Sequence, residues 1–132
     1  MEAAGLMSGT ILVLEDEEIM RDLLRIHLTN AGYEVLVAED AVVAGHLLMK
    51  ERPNLILTDI EMPFMDGLEF VRALKSDAAV SAIPVIFLSS RSDFEDRCKE
   101  LGAVAFFKKP VLAHSLLAAV AEHVDGGRVP LS

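Results

Sequence analysis

The chain has 132 residues and a formal net charge of −9 at pH 7; 52% of its residues are apolar and 25% are charged. This favours one globular domain with a single core, and the charge argues against binding nucleic acid or an anionic membrane, since phosphate contacts need clustered Lys and Arg. A single cysteine, Cys98, excludes an intramolecular disulfide. The sequence shows neither the pattern of a secretory signal nor an apolar run long enough to span a membrane, so we expect a cytoplasmic protein.

The predicted elements alternate between strand and helix along the whole chain. Short apolar runs indicate buried strands, and apolar residues at helical spacing between them indicate helices. A flexible leader is predicted for residues 1–9, one folded domain for residues 10–124 and a flexible tail for residues 125–132. The predicted strands are Thr10–Leu14, Tyr33–Ala38, Leu55–Thr58, Ile83–Leu88 and Val104–Phe107.

Local signals predict where the helices begin and which face each one buries. Asp40 is predicted to cap the second helix, and Asp66 with Glu69, like Ser92 with Glu95, has the spacing of a capping box. The expected apolar faces are Ile19, Leu23, Leu24, Ile26 and Leu28 in the first helix, Val42, Val43, Leu47, Leu48 and Met49 in the second, and Leu112, Leu116, Leu117 and Val120 in the last.

Five strand–helix units in succession predict an α/β fold. Right-handed crossovers between parallel strands place helices on both faces of the sheet. We therefore expect a doubly wound, five-stranded parallel sheet, a (βα)5 sandwich. All carboxyl ends of its strands lie on one edge, which is where open α/β sheets bind their ligands.

Polar side chains follow four of the predicted strands at this edge. Glu15 and Asp16 follow the first strand, Asp59 the third, Ser89 the fourth and Lys109 the fifth. Clustered carboxylates repel one another unless a cation intervenes, and Mg²⁺ prefers such oxygen ligands. A lysine and a hydroxyl can hold the remaining oxygens of a phosphoryl group. The edge therefore predicts phosphoryl transfer to a carboxylate, by positioning and charge neutralisation.

Four segments at these strand ends resemble the receiver domains of two-component response regulators. They are Ile11–Glu17, Leu57–Gly67, Pro84–Ser90 and Phe106–Pro110, in the family's order and near its spacing. The resemblance covers Thr10 to Val124. It implies a flavodoxin-like fold and a single-domain regulator of the chemotaxis type.

The resemblance implies that Asp59 accepts a phosphoryl group from a phosphohistidine of a histidine kinase or phosphotransfer protein. Mg²⁺ would be held by Asp16, by Asp59 and by the backbone carbonyl of Glu61, with Glu15 in support. Lys109 would pair with the acyl phosphate, and the Lys109–Pro110 peptide bond is expected to be cis. The chain would be a phosphoacceptor rather than an enzyme.

The resemblance also implies a switch. Ser89 would hydrogen-bond the phosphoryl oxygen, and Phe106 occupies the position of the family's aromatic switch. A downstream protein would bind the face formed by the fourth helix, the fifth strand and the last helix; the dimer state is left open. Three residues depart from the commonest pattern: Glu15 replaces Asp, Ser89 replaces Thr, and Phe106 replaces Tyr and so lacks a phenol.

Three other functions compete with this one. A phosphatase with an aspartyl-phosphate intermediate needs Asp-x-Asp after the first strand, whereas Glu15-Asp16-Glu17 stands here. A flavin or nucleotide module needs a Gly- or hydroxyl-rich loop at the same place. A pseudo-receiver that binds partners without being phosphorylated remains open.

Simpler roles also remain for individual residues. Glu17 and Glu18 are expected to be solvated, Ser90 to cap the next helix at most, and Phe106 could be ordinary core. One further hypothesis pairs Glu61 with Arg91 across the mouth of the site, where the ion pair would hinder hydrolysis of the acyl phosphate.

Overall fold

The computed structural model describes residues 8–124. One sheet contains five parallel strands in the order β2-β1-β3-β4-β5, which confirms the predicted fold. The predicted tail, and residues 1–7 of the predicted leader, lie outside the described residues. The strands are β1 (Thr10–Leu14), β2 (Glu34–Ala38), β3 (Leu55–Asp59), β4 (Val85–Ser89) and β5 (Ala105–Lys108).

A helix follows each strand, and β4 is followed first by a 3₁₀ turn at Ser92–Phe94. Within residues 8–124, no helix combines the length and apolarity needed to cross a membrane. The helices are α1 (Glu18–Asn30), α2 (Ala41–Lys50), α3 (Gly67–Lys75), α4 (Glu95–Glu100) and α5 (Ala113–His123).

The strand order reverses between β1 and β3. The connections leaving these two strands diverge, and such a divergence opens a crevice beyond their carboxyl ends. In the register, Leu14 lies opposite Thr58, and Asp59 lies opposite Leu88. Glu15 and Asp59 therefore leave the sheet at the same level, at the point where the crevice opens.

The core has two layers, one on each face of the sheet, and β3 and β4 are buried along their whole length. Alternate residues of β1 point to opposite faces: Leu12 and Leu14 join the layer under α2, α3 and α4, while Ile11 and Val13 join the layer under α1 and α5. Burial on both faces explains why the strands read as continuous apolar runs.

The buried helix faces are narrower than the sequence predicts. In α1 the sheet covers Leu24 and Leu28, whereas Ile19 is 85% exposed. In α2 the contacts come from the small residues Ala41 and Ala44 together with Leu48. The predicted core positions Ile19, Leu23, Ile26, Val42, Met49 and Leu112 are exposed, so those predictions were wrong. Hydrophobicity alone does not reveal how much of a helix surface its neighbours cover.

Two of the three predicted helix caps are present. The Asp40 side chain accepts a hydrogen bond from the Val43 N–H at 2.9 Å, and Asp66 with Glu69 forms a complete capping box. The box predicted for Ser92 and Glu95 is absent, because the chain makes a 3₁₀ turn there without a side-chain cap and α4 starts only at Glu95.

Candidate functional site

Lys109 connects the carboxylates of two neighbouring strands. Its Nζ lies 2.9 Å from Glu15 Oε1 and 3.2 Å from Asp59 Oδ2. Lys109 directly follows β5, and its N–H donates to the Ser89 carbonyl at 2.7 Å, which holds the lysine at the end of β4. Three residues predicted from separate strand ends thus form one network of ion pairs.

Asp59 is the last residue of β3 and is almost fully buried. Its Oδ1 accepts the Ile60 N–H at 2.8 Å, while Oδ2 faces Lys109. Burial raises the pKa of the Asp59 carboxyl above its usual value, and the contacts with Lys109 oppose this rise. The carboxylate is held rigidly, with one oxygen directed toward the cation.

Glu15 and Asp16 occupy different environments although they are adjacent. Glu15 is 1% exposed, and its Oε2 also accepts the Glu17 N–H at 3.2 Å, whereas Asp16 is exposed. Carboxylate oxygens of Glu15, Asp16 and Asp59 lie within 4.8 Å of one another. Three converging carboxylates are the hard oxygen donors that Mg²⁺ binds, so the residues present fit this cation.

When its carboxyl groups are all ionised, this network carries more negative than positive charge. Burial raises the pKa of Glu15 to about 7 despite its hydrogen bond from Lys109. Burial alone would lower the pKa of Lys109, but its contacts with Glu15 and Asp59 outweigh that effect and raise it. One ammonium is shared by two buried carboxylates, with Asp16 beside them, so the site carries excess negative charge that a divalent cation would neutralise.

The burial of the Glu15 carboxyl predicts a pH dependence of stability in the metal-free chain. Folding raises the pKa of Glu15 from 4.5 to about 7, so the folded state favours its protonated form. The stabilisation that the protonated Glu15 carboxyl gives to the folded state is complete below pH 4.5 and is lost as pH rises through 7. Glu15→Gln cannot ionise, so relative to wild type its free energy of unfolding should rise by on the order of 3 kcal/mol across this range.

Urea denaturation in EDTA at several pH values measures this difference. Glu18→Gln makes the same chemical change at an exposed position and serves as the control. Parallel pH profiles for wild type and Glu15→Gln would contradict the prediction.

An open cavity of about 310 Å³ lies at this edge of the sheet. Glu17 and Ser90 line it, although the sequence indicated only a solvated residue and a helix cap at these positions. Their adjacency in sequence to Asp16 and Ser89 could have predicted that they line the cavity, because the loops that follow the strands form the walls of a cavity at the strand ends. The complete lining is Asp16, Glu17, Asp59, Glu61, Ser90 and Lys109.

The two serines after β4 differ in their surroundings. Ser89 is fully buried, and its Oγ accepts the Arg91 N–H at 3.0 Å. Ser90 lines the cavity, and its hydroxyl donates to Glu61 Oε1 at 3.3 Å. In this structure, therefore, Ser90 rather than Ser89 presents its hydroxyl to the cavity.

The hypothesis of a direct ion pair between Glu61 and Arg91 was wrong, although the charge of Glu61, after that of Asp93, contributes from a longer distance to the raised pKa of Arg91. The Arg91 guanidinium instead makes two hydrogen bonds to the Asp93 carboxylate, at 3.1 and 2.6 Å, and lies 4.8 Å from the centre of the Phe94 ring. A partner two residues away can be reached without ordering a second loop, so the local pair forms in place of the pair across the cavity mouth.

Phe106 is half-buried on β5 and packs against the core layer that contains Cys98. A cavity of about 300 Å³ beside it is lined by residues of α4 and β5, among them Glu95 and Lys99 of α4. The Lys109–Pro110 peptide bond is cis, as the resemblance implied.

Comparison with known proteins identifies relatives over nearly the whole chain. The sequence model of the response regulator receiver domain matches residues 11–121. Over 115 residues the chain is 33% identical to the phosphate regulon transcriptional regulatory protein PhoB of Pseudomonas aeruginosa, covering 86% of this chain and 50% of PhoB. It is 36% identical over 114 residues to the response regulator MprA of Mycobacterium bovis, covering 85% of this chain and 49% of MprA. The chain thus spans about half the length of these relatives.

Solved structures with the same fold include receiver domains of two kinds. The receiver domain of a signal transduction histidine kinase from Syntrophus aciditrophicus has a TM-score of 0.84 and 32% identity, covering 94% of this chain and 96% of that one. The chemotaxis response regulator CheY4 of Vibrio cholerae has a TM-score of 0.80 and 29% identity, covering 87% and 98% of the two chains.

Proposed function

The chain belongs to the family of response regulator receiver domains of two-component systems, and we propose that it accepts a phosphoryl group on Asp59. The donor is a phosphohistidine on a histidine kinase or phosphotransfer protein, and the reaction requires Mg²⁺. The observation that carries the proposal is the placement of the buried Asp59 carboxylate 3.2 Å from Lys109 Nζ, at the wall of an open acidic cavity.

Asp59 is suited to act as the nucleophile. Its side chain reaches the cavity from the end of a rigid central strand, and the Ile60 N–H fixes the carboxylate through Oδ1. In the proposed transfer an Asp59 oxygen forms the new bond to phosphorus as the phosphorus–nitrogen bond of the phosphohistidine breaks. The bonding electron pair leaves with the imidazole, so no further reactant is needed.

The remaining residues of the edge neutralise charge. Asp16, Asp59 and the backbone carbonyl of Glu61 would hold Mg²⁺ with support from Glu15, and the ion would offset the charge of the phosphoryl oxygens. Lys109, already in contact with the carboxylates of Glu15 and Asp59, would form an ion pair with the acyl phosphate. This chain receives the group itself, so the reaction modifies the protein and does not turn over a substrate.

Phosphorylation would act as a switch through Ser89 at the end of β4 and Phe106 on β5. The product adds about −1.5 to −2 charges beside Lys109, and Ser89 would exchange its hydrogen bond with the Arg91 N–H for one with a phosphoryl oxygen. The cavity beside Phe106 offers the aromatic ring space to turn inward. The face of α4, β5 and α5 would then repack and bind a downstream protein, a population shift between two conformations.

Phosphoryl uptake tests the proposed function directly. Incubation with acetyl phosphate and MgCl₂ should add the mass of one phosphoryl group, and EDTA should prevent the addition. Hydroxylamine should remove it, since acyl phosphates react with this nucleophile whereas phosphoserine does not. No addition from acetyl phosphate or from a panel of phosphorylated histidine kinases would favour the pseudo-receiver, which binds partners without a phosphoryl group.

A further inference from the structure

A guanidinium on α1 reaches back to the acidic segment that follows β1. Arg21 Nη1 donates to the backbone carbonyl of Glu15 at 3.0 Å and to that of Asp16 at 3.4 Å. The Arg21 backbone N–H also bonds the Glu17 carbonyl at 2.8 Å. One residue therefore contacts the carbonyls of all three residues that join β1 to α1.

At its helical end this segment has one further contact, from the Glu17 N–H to Glu15 Oε2 at 3.2 Å. Glu17 occupies the N-cap position of α1 without a side-chain capping hydrogen bond. Glu15 is held by Lys109 and by burial, but Asp16 is exposed, so packing does not fix its carboxylate. The direction of the Asp16 side chain depends on the backbone, and a carbonyl bonded on one side fixes the plane of its peptide group.

We propose that Arg21 is a positioning residue for the cation site: it orients the backbone of Glu15 and Asp16 so that the Asp16 carboxylate converges with that of Asp59, and it thereby raises the affinity for Mg²⁺. The inference rests on the proposed function. It assigns a role to a residue that touches neither the cation nor the phosphoryl group.

The charge of Arg21 and its carbonyl contacts predict opposite effects of Arg21→Ala on the affinity for Mg²⁺. A guanidinium close to a cation site repels Mg²⁺, so loss of its charge alone would tighten binding. Loss of its two carbonyl contacts releases the Asp16 peptide groups and would weaken binding. The sign of the change in affinity therefore distinguishes the two roles.

Arg25 provides the matched control on the same helix. It lies one turn further along α1, is exposed, and its nearest acidic partner is Asp22 at 4.0 Å. Arg25→Ala removes the same charge from the same helix without freeing the acidic segment. Arg21→Lys keeps the charge, but its ammonium nitrogen stands one bond nearer to the backbone than Arg21 Nη1, the atom that meets both carbonyls.

Titration of MgCl₂ into the metal-free chain, followed by calorimetry, measures the affinity. Arg21→Ala should weaken Mg²⁺ binding by about tenfold, Arg21→Lys should lie between Arg21→Ala and wild type, and Arg25→Ala should stay within about twofold of wild type because exposed charges are screened. Urea denaturation in EDTA verifies that each variant is folded.

The rate of labelling by acetyl phosphate gives an independent measure. For Arg21→Ala the half-saturating Mg²⁺ concentration should rise, while the maximal rate at saturating Mg²⁺ stays close to that of wild type. Unchanged or tighter Mg²⁺ binding by Arg21→Ala, or an equal loss in Arg25→Ala, would overturn the inference alone. A wild-type chain that does not bind Mg²⁺ would overturn the inference together with the proposed function.

Discussion

Asp59→Asn is expected to abolish phosphoryl uptake while leaving the chain folded. The neutral amide cannot act as the nucleophile that the carboxylate provides, so labelling by acetyl phosphate in MgCl₂ should fall below detection. Stability should not suffer, because burial already disfavours the charged form of Asp59, and Lys109 keeps Glu15 as a partner at 2.9 Å. Intact-mass measurement after incubation reports the result.

Asp66→Asn is the matched control for this experiment. It makes the same change seven residues along the chain, and asparagine retains the N-cap of α3, where Asp66 accepts the Glu69 N–H at 2.9 Å. This variant should be labelled like wild type. Mg²⁺-dependent labelling of Asp59→Asn at the wild-type level would show that another residue accepts the phosphoryl group, and it would contradict the proposed function.

Gly67→Ala is expected to be strongly destabilising. A Cβ at this position would lie 2.1 Å from the Asp59 carbonyl oxygen and 3.0 Å from the Ile60 Cα, and both are backbone atoms that cannot rotate away. The Gly67 N–H also bonds the Ile60 carbonyl at 2.7 Å, so α3 begins directly against the end of β3. Relief of this clash must move the helix or Asp59, and we expect a loss of about 3 kcal/mol or more in unfolding free energy.

Gly45→Ala offers the same substitution in open space. No atom lies within 4 Å of a Cβ placed at this position in α2, and alanine is favoured over glycine inside a helix by up to about 1 kcal/mol. The two variants should therefore shift the urea midpoint in opposite directions. If both variants lower stability equally, the close approach of Gly67 to Asp59 is not the cause.

The sequence was sufficient for the fold and for the location of the site. Apolar runs alternating with helical patterns required parallel strands, and parallel strands place their carboxyl ends on one edge. Asp16, Asp59 and Lys109 each follow such a run, so their convergence could be predicted without distances. The caps at Asp40 and Asp66 were equally accessible, because a cap depends on residues only three positions apart.

The partners of the side chains came only from the tertiary structure. Glu15 and Asp59 share the Lys109 ammonium because β1 and β3 are neighbours in the sheet. No local sequence pattern specifies this strand order. The orientation of Ser89 depends on the turn that follows it, which directs the Arg91 N–H toward its hydroxyl.

The same limit applies to the helices and to the acidic segment. Ile19 fits the helical period of a buried face, but its burial depends on how far the sheet extends beneath α1. Arg21 looked like an ordinary charge between apolar residues; its bonds to the carbonyls of Glu15 and Asp16 are local, but they depend on the geometry of the turn between β1 and α1, which no residue pattern specifies. Local chemistry determines which elements form, whereas contacts between distant segments determine which atoms each functional group meets.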